Sequence, residues 1–370
     1  MAYTTRMGKR KEVFDLTSSW LASMKRMTLL GGIVSLLTCT TGCDDSNRRR
    51  ITVIEQPSSA PADTIVLDRI DRLDASFCSG WLTNETLLCT ASAETLPTHM
   101  QIRHIKTSPT LDTKLPAGST LSIAPDGKHA FGQGFGEAFL ADLTQPDKDP
   151  HPIHIGDSGI SYLNPTAIGA WFDSQTFILP IAGENAGLAL IGIDGTITPI
   201  ELSDQSRHIQ KIVIAAERLF TLDVNQRLKS YDKKGSDVRL VRNHVVDFAV
   251  SPDGLKLAAT IQASPHQESL IIADTLDSTN EKSLSKGRLL RQLAWSPSGD
   301  KLAYATFSLE QGGSGLYVMN ARSGSALSLS IQPNIESPIV WSPSGDSLFV
   351  AEHPAAEWAA GFTTFYRLKK

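Results

Sequence analysis

The sequence is poor in cysteine and in clustered positive charge. It has 4 cysteines in 370 residues, too few for a small disulfide-knotted domain. Cys39 lies in a segment that we expect to be removed, which leaves too few thiols for a four-cysteine zinc site. Lys+Arg total 35 against Asp+Glu 39, a formal net charge of −4. No basic stripe stands out, so nucleic acid is not an expected partner.

Signatures of catalysis and metal binding are also missing. No Gly-x-Ser-x-Gly elbow occurs, and the nearest approach, Gly312–Leu316, departs from it at the last position. The closest histidines, His151 and His154, are three apart, so on a strand they would point to opposite faces. No loop shows EF-hand spacing. We therefore predict no catalytic, cofactor-binding or metal-ligating residue, and no cofactor.

The only long apolar run lies near the N-terminus. Lys25 and Arg26 precede an apolar core over residues 27–37, and small residues follow at 38–42. This is the three-part pattern of a secretory signal. It is too short for a permanent transmembrane helix, which needs about 20 apolar residues. The stretch before Met24 is polar and adds nothing to export, so Met24 is a candidate for the true start.

A cysteine follows this signal directly. Thr40-Thr41-Gly42-Cys43 resembles the lipobox of bacterial lipoproteins, with Thr40 where that family usually has an aliphatic residue. The resemblance implies cleavage before Cys43 and lipidation of its sulfur and its new amino group. Several acyl chains together hold a protein stably at a membrane. The alternative is an ordinary cysteine after a conventional cleavage site.

Cleavage before Cys43 divides the chain into three parts. Residues 1–42 are an N-terminal extension plus signal peptide, 43–63 a lipidated tether, and 64–370 one folded domain. Removal of six basic and two acidic residues takes the net charge from −4 to −8. Asp44 resembles the signal that retains lipoproteins in the inner membrane of enteric-type cells. We expect the periplasmic face of the inner membrane in a Gram-negative cell, or the outer face of the membrane in a Gram-positive cell.

Four segments of the folded part repeat one pattern. Each has an apolar anchor just before a Ser/Ala-Pro-Asp/Ser-Gly tetrapeptide, and another apolar residue seven positions after the anchor. Pro presets φ at the second turn position and Gly suits the fourth, while the flanking sequence is strand-like, so each copy predicts a hairpin turn. The turn residues are Pro125 and Gly127, Pro252 and Gly254, Pro297 and Gly299, and Pro343 and Gly345.

Weaker copies extend the repeat along the chain. Trp81 and Trp171 keep the seven-residue spacing without the proline, and Ile214 starts a shortened version. The anchors are then residues 81, 123, 171, 214, 250, 295 and 341, at intervals of 36 to 48 residues. A unit of about 40–45 residues with four strands is the blade of a β-propeller. At most one tryptophan anchor falls in each blade, which favours packing between blades over a sugar-stacking role.

The repeated motifs resemble the WD40-like repeat of the TolB-type β-propeller family over about residues 65–370. The chain has no room for TolB's separate α/β domain, and it has seven units rather than six. We predict an all-β, seven-bladed β-propeller with four-stranded antiparallel blades, with six or eight blades as alternatives. The last unit lacks an outer strand, and we expect a segment near 64–67 or 51–54 to supply it and close the ring.

Two further cysteines lie within the repeats. A two-residue loop at Thr83 and Asn84 would place Cys78 directly opposite Cys89. The register of the Ser-Pro copies would make them diagonal neighbours, too far apart to bridge comfortably. An exported protein can oxidise such a pair. A disulfide and two small buried residues therefore both remain open.

The expected function is binding or scaffolding in the bacterial cell envelope, without catalysis. The TolB-type resemblance implies protein contacts, so we expect an envelope protein or peptide at one mouth of the ring, and the membrane through the lipid on Cys43. The alternatives are a glycan- or small-ligand-binding propeller, a lyase- or hydrolase-type propeller enzyme, and a passive spacer. An enzyme would need His, Arg, Tyr or carboxylates converging at one mouth, and fold alone does not settle this. The sequence does not fix the oligomeric state.

Overall fold

A computed structural model describes most of the repeat region. The described residues are 64–91, 99–106, 110–117, 119–134, 137–154, 162–163, 169–182, 187–275, 280–308, 314–331, 337–352 and 361–369. All of them belong to one compact unit, Ser58–Lys370. The predicted signal, Cys43 and the tether lie outside them. Within the described ranges, no helix has the length and apolarity needed to cross a membrane.

Strands form where β-branched and aromatic residues recur between Gly, Pro, Asn and Asp turns. β1 (Leu67–Leu73) comes first and belongs to the last blade. Blade 1 has β2 (Ser76–Trp81), β3 (Thr86–Ala91), β4 (His99–His104) and β5 (Thr110–Pro116); blade 2 has β6 (Thr120–Ile123), β7 (His129–Gly134), β8 (Glu137–Asp142) and β9 (His151–Pro152); blade 3 has β10 (Tyr162–Leu163), β11 (Ala170–Trp171), β12 (Thr176–Ala182), β13 (Leu188–Gly192) and β14 (Ile197–Ile200). Blade 4 has β15 (Ile209–Ala215), β16 (Arg218–Asp223), β17 (Leu228–Asp232) and β18 (Arg239–Arg242); blade 5 has β19 (Val245–Val250), β20 (Lys256–Ser264), β21 (Gln267–Asp274) and β22 (Lys282–Gly287); blade 6 has β23 (Leu289–Trp295), β24 (Lys301–Phe307), β25 (Gly315–Asn320) and β26 (Ala326–Ser330); blade 7 has β27 (Ile339–Trp341), β28 (Ser347–Glu352), β29 (Phe362–Leu368) and β1.

The innermost strands of the blades stand side by side. β2 contacts β6, β11 contacts β15, and the contacts continue from β15 to β19, β23 and β27. β27 contacts β2, which closes the circuit between the last blade and the first. The molecule is therefore a seven-bladed β-propeller with antiparallel blades, as the sequence predicts. Its core is a set of apolar layers between neighbouring blades, such as Phe131 stacked on Phe177 at 4.2 Å between ring centroids.

The two faces of the ring differ in their connections. Each innermost strand ends in a turn to the second strand, so these turns all lie on one face, here called the turn face. The connections between second and third strands, and the starts of the innermost strands, lie on the opposite face, here called the loop face.

β1 closes the ring as the outermost strand of blade 7. It pairs antiparallel with β29, from Leu67 opposite Leu368 to Leu73 opposite Thr363. The donor strand therefore begins at the end of the expected segment 64–67 and continues beyond it. Just before the strand, the Lys369 N–H donates to the Val66 carbonyl at 2.8 Å. The other candidate segment, 51–54, lies outside the described residues.

All four Ser/Ala-Pro copies form the turn between the first and second strands of a blade. In blade 5 the Gly254 N–H donates to the Ser251 carbonyl at 2.8 Å, and Val250 pairs with Leu257, seven residues on. The turn glycines have φ of +69° (Gly127), +73° (Gly254), +72° (Gly299) and +70° (Gly345), in the left-handed region that favours glycine.

The turns without proline are one residue shorter than the sequence spacing implies. Trp81 pairs with Leu87 and Trp171 with Phe177, six residues on in each case. The Phe172 N–H donates to the Thr176 carbonyl at 2.8 Å, four residues on, whereas the corresponding bond from Ser251 reaches five residues on, to Lys256. The seven-residue apolar spacing at Trp81 and Trp171 therefore does not report the strand register.

The innermost strand of blade 3 is split in two. β10 pairs with Ala182 and Ile181 of β12, and β11 pairs with Ile178 and Phe177. Pro180 lies between these two pairings. The Ile181 N–H faces β13, where it donates to the Gly187 carbonyl at 3.0 Å, so the neighbouring residue faces the innermost strand. Proline has no N–H to donate to the innermost strand from this position.

The four anchor tryptophans join successive blades. Each indole N–H donates to a backbone carbonyl one residue before the anchor of the preceding blade. The bonds run from Trp81 to Val340 at 3.2 Å, from Trp171 to Ser122 at 3.0 Å, from Trp295 to Ala249 at 3.1 Å and from Trp341 to Ala294 at 3.0 Å. The indoles of Trp81, Trp295 and Trp341 are buried and that of Trp171 is partly buried. Each fills space between two blades and satisfies its one donor, the interblade packing expected from the sequence.

Cys78 and Cys89 are joined by a disulfide between β2 and β3. They lie directly opposite each other. Further along the same two strands the register is shifted by one residue, so that Trp81 pairs with Leu87. A bulge between Cys78 and Gly80 absorbs the difference. Both cysteines are buried beside Trp81 and Phe349, so the disulfide lies close to the junction of blades 1 and 7.

Candidate functional site

The turn face is occupied by packing between the turns themselves. A Cβ on Gly127 would lie 2.5 Å from the carbonyl oxygen of Leu82 in the preceding blade, and one on Gly254 would lie 2.2 Å from Cβ of Ala216. The Asn84 side chain likewise accepts a bond from the Ser344 N–H at 2.8 Å, between blades 1 and 7. The repeated turn residues are therefore structural, and they carry no binding chemistry of their own.

A groove on the turn side follows the junction of blades 1 and 7. It has a volume of about 650 Å³ and is lined by Asp68, Lys106, Asp346 and Arg367, among other residues. Its charges are of both signs, and Lys106 pairs with Glu85 at 2.7 Å. This groove lies where the chain enters the ring at β1, so we assign it to ring closure rather than to a ligand.

The loop face differs from blade to blade, and in blades 4–6 it carries charged and imidazole side chains. His208, His244 and Arg288 each directly precede the innermost strand of their blade, and all three are exposed. Backbone bonds place His208 and Arg288 beside the end of the second strand of their blades. The Val224 N–H donates to the His208 carbonyl at 3.1 Å, and the Arg288 N–H donates to the Phe307 carbonyl at 2.9 Å.

An ion pair joins the innermost strands of blades 4 and 5. Lys211 Nζ lies 2.7 Å from Asp247 Oδ1, and it also donates to the Phe248 carbonyl at 2.7 Å. The other Asp247 oxygen accepts the N–H of Leu293 in blade 6 at 3.3 Å. One carboxylate thus connects three successive blades, and both members of the pair lie on strands that line the centre of the ring.

Two further ion pairs stand on the same face. Glu268 Oε2 accepts the Arg291 guanidinium at 2.5 Å and the Leu290 N–H at 2.7 Å, which joins blade 5 to blade 6. In blade 4, Asp223 Oδ2 accepts Arg227 Nε at 2.8 Å. Charge-assisted bonds of this length are among the stronger ones in proteins.

In each of the three pairs the cation is the more exposed partner. The side-chain exposures are 18% for Lys211 against 12% for Asp247, 28% for Arg291 against 3% for Glu268, and 42% for Arg227 against 3% for Asp223. Arg207 and Arg288 are exposed and have no ion-pair partner among the described residues. The described residues on the loop face of blades 4–6 therefore present positive charge to solvent.

Unusual backbone conformations occur at the same mouth. His208, Gln226, His244 and Gln292 have φ of 56°, 60°, 60° and 60°, although none of them is glycine. The innermost strands of blades 4, 5 and 6 each carry a bulge in their loop-face half. Such conformations cost energy, and they are enriched where proteins bind ligands. We call the loop-face ends of blades 4–6 the basic mouth.

A polar cluster supports the basic mouth from the side. Tyr231 OH lies 3.1 Å from Asp204 Oδ1 and 3.0 Å from Ser206 Oγ, and Lys229 Nζ lies 2.6 Å from Asp204 Oδ2. Burial raises the pKa of Tyr231 to about 12. Burial also acts to raise the pKa of Asp204, but bonds from Lys229, Ser206 and Tyr231 outweigh it and lower the pKa. This cluster fixes the connection that leads from blade 3 to Arg207.

Sequence reasoning did not identify the basic mouth. Lys211 and Asp247 each lie three residues before an anchor, so the repeat alignment alone would have placed them side by side in adjacent blades. His208 and His244 each lie six residues before an anchor, so the same alignment relates them, whereas Arg288 lies seven residues before Trp295. Among the described residues, no group of three or more His, Cys, Asp or Glu side chains is placed to hold a metal ion.

Comparison with known proteins defines the fold class and no narrower family. No protein-family model matches the chain, and no curated protein matches its sequence. An oligogalacturonate lyase from Vibrio parahaemolyticus is similar in structure, with a TM-score of 0.59 and 13% identity over 82% of this chain and 91% of that one. The Cps50 (Swd1) β-propeller domain of Myceliophteria thermophila has a TM-score of 0.53 and 14% identity, over 82% of this chain and 99% of that one.

A third similar structure is hydrazine synthase from Kuenenia stuttgartiensis, with a TM-score of 0.53 and 14% identity over 76% of this chain and 93% of that one. At these identities the likeness shows the β-propeller fold alone.

Proposed function

We propose that this chain is a lipid-anchored, extracytoplasmic lipoprotein of the bacterial cell envelope that binds a partner protein through the basic mouth. In this proposal it is a binding module of the TolB-like kind and not an enzyme. The observation that carries the proposal is the difference between the faces: the turn face packs against itself, while the basic mouth leaves cations exposed on a rigid frame.

Two features support the cellular location. The segment ending at Gly42-Cys43 has the order of a lipoprotein signal, and lipid on Cys43 would hold the protein at the membrane. The disulfide between Cys78 and Cys89 suits an oxidising compartment outside the cytoplasm.

The position of β1 supports the choice of mouth. Leu67 lies at the turn-side end of blade 7, since Leu368, its partner, donates its N–H to the Asp346 carbonyl at 2.8 Å. The described chain therefore enters the ring on the turn side, opposite the loop face.

Anchoring is tested by metabolic labelling with palmitate and by membrane fractionation. We expect Cys43→Ala to abolish labelling and release the protein from membranes. Cys39→Ala is the matched control, because it removes a nearby cysteine that does not follow the lipobox glycine. Labelling that persists in Cys43→Ala would exclude the anchor.

Partner binding is tested with a photo-crosslinking amino acid in the anchored protein. Val224 on the loop face and Leu255 on the turn face are exposed apolar residues, at 49% and 66%, and make a matched pair of positions. We expect a discrete crosslinked partner from position 224 and none from position 255. Crosslinks from position 255 alone, or from neither position, would contradict the assignment.

A further inference from the structure

We infer that the basic mouth binds a peptide segment that combines acidic and apolar side chains. This inference rests on the proposed function and specifies the chemistry of its partner. Three properties of the mouth lead to it: its exposed charge, its exposed apolar residues and its fixed geometry.

The exposed charge selects an anionic ligand. The acidic side chains Asp223, Asp247 and Glu268 are buried and already engaged, so they offer little to a ligand. Arg288 directly precedes β23 and Arg207 lies two residues before β15, and both are exposed. The half-buried Arg291 lies three residues after Arg288, within β23. Guanidinium groups present planar pairs of donors that match a carboxylate. The predicted mature chain is acidic overall, which makes this local surplus of positive charge distinctive.

Exposed apolar side chains select a peptide over an acidic glycan. Val224 is 49% exposed and is bonded through its backbone to His208, and Phe307 is 37% exposed and is bonded to Arg288. Val224 follows Asp223, which pairs with Ile209, so Val224 lies across the strand pair from His208. Phe307 pairs with Leu289, the chain neighbour of Arg288. A polyuronate would satisfy the arginines and leave Val224 and Phe307 uncovered. A peptide with an apolar residue close to Asp or Glu would cover both.

The geometry of the mouth is held before any ligand arrives. Arg291 is fixed by Glu268, whose second contact is the Leu290 N–H, and the neighbouring bulge holds Gln292 at φ 60°. A site whose side chains are already ordered loses less entropy on binding. The bulged strands of blades 4–6 thus present their donors in a fixed arrangement.

The test uses the detergent-purified full chain and a random peptide library. Peptides are selected for binding to the wild-type chain alone, and the variants are used only afterwards. We expect the selected peptides to be enriched in Asp or Glu beside an aliphatic or aromatic residue. We expect the best peptide to bind Arg288→Glu about tenfold more weakly or worse, the scale of one lost charge-assisted contact.

The control for this test is Arg322→Glu, an exposed arginine of the same blade in a turn on the opposite side. It makes the same change of charge, and we expect it to leave peptide binding within about twofold, since exposed charges this far apart are screened by salt. Equal losses in the two variants would mean that binding follows net charge, and the inference would fall.

Other outcomes identify a different ligand. An oligogalacturonate that displaces the peptide from the mouth at equal concentration, and itself binds Arg288→Glu more weakly, would identify an acidic glycan as the occupant. A selection with no acidic bias would overturn the inference outright. If position 224 still crosslinks a partner in Arg288→Glu cells, the binding module stands and only the ligand class fails. The peptide measurement, made on purified protein, does not depend on Cys43.

Discussion

Two arcs of the ring are joined in different ways. From blade 5 through blades 6 and 7 to blade 1, each junction has a buried tryptophan bonded to a backbone carbonyl of the preceding blade. From blade 3 through blade 4 to blade 5, the anchors are Ile214 and Val250, and no indole of the described residues crosses these junctions. The Asp204 cluster and the Lys211–Asp247 pair stand there instead.

The two arcs should therefore respond differently to salt and to the loss of a single partner. A tryptophan junction depends on apolar area and one neutral hydrogen bond, so neither salt nor moderate pH weakens it much. An ion-pair junction needs both partners, and losing one leaves a charge in a half-buried place. The arc joined by tryptophans includes blade 7, which closes the ring. The basic mouth covers blades 4 and 5 of the charged arc and blade 6 of the tryptophan arc.

The largest effect is expected in the tryptophan arc, the arc from blade 5 to blade 1 whose junctions each contain a buried tryptophan. Trp341→Ala should lower the free energy of unfolding by about 3–5 kcal/mol, because it removes a buried indole between blades 6 and 7. Trp341→Phe keeps most of the apolar volume and should cost less, about 1–2 kcal/mol. Urea unfolding of both variants measures this. Equal losses would mean that the hydrogen bond, and not the packing, holds the junction.

A smaller loss of unfolding free energy is expected in the charged arc, the arc from blade 3 to blade 5 whose junctions contain the Asp204 cluster and the Lys211–Asp247 pair. Lys211→Met should cost about 3 kcal/mol, because Asp247 is then charged, 12% exposed and without its cation. The double variant Lys211→Met/Asp247→Asn should recover part of the loss, since the amide oxygen can still accept the Phe248 N–H, whereas the amide NH2 cannot accept the Leu293 N–H. Chemical unfolding of the two variants tests this. A double variant no better than Lys211→Met would show that the pair is not the joining element.

The disulfide adds a third contribution, near the ring closure. Replacing Cys78 and Cys89 together with alanine should cost about 2–3 kcal/mol, the value for a short loop of 11 residues. Reductant should shift the unfolding midpoint of the wild-type protein and leave that of the double variant unchanged. Two free thiols titrated in the folded, exported protein would refute this expectation.

The smallest effect concerns acid. Burial acts to raise the pKa of Asp300, but bonds from Lys301, Ser298 and Ser296 outweigh it and lower the pKa to about 2. This carboxylate therefore stabilises the folded state above about pH 4, and the contribution is lost as pH falls toward 2. Because the side chain is 51% exposed, Asp300→Asn should cost less than about 0.5 kcal/mol at pH 7. The difference from wild type should shrink as unfolding is measured at lower pH, and a constant difference would argue against a charge effect.

Most of the fold is predictable from the sequence because one device repeats. Seven anchors mark seven blades, and the turn tetrapeptide carries its own backbone conformation in its proline and glycine. The departures have local causes. Pro180 is visible in the sequence as a residue that disturbs strand pairing. The sequence does not show that it faces the innermost side of blade 3, where both β10 and β11 pair with β12. The register at Trp81 depended on a turn one residue shorter than the spacing suggested.

The basic mouth is less predictable, for a physical reason. Arg291 and Glu268 are 23 residues apart on strands of different blades, and Lys211 and Asp247 are 36 apart. The repeat relates Lys211 to Asp247, but no sequence pattern links Arg291 to Glu268, because only the packing of blade 5 against blade 6 brings those two together. Their charge is also hidden in the composition, where the two signs nearly cancel.

The pairing of β1 with β29 has a consequence for how the protein is made. β1 is the first described strand to be synthesised, and its partner is the last, so Leu67 waits for Leu368 until the whole chain has emerged. Until then the forming assembly has an unpaired edge that other chains could join. Contacts between such distant positions form late. Export in an unfolded form, N-terminus first, would keep the two ends apart until translocation finishes, and the circle would be completed only on the far side of the membrane.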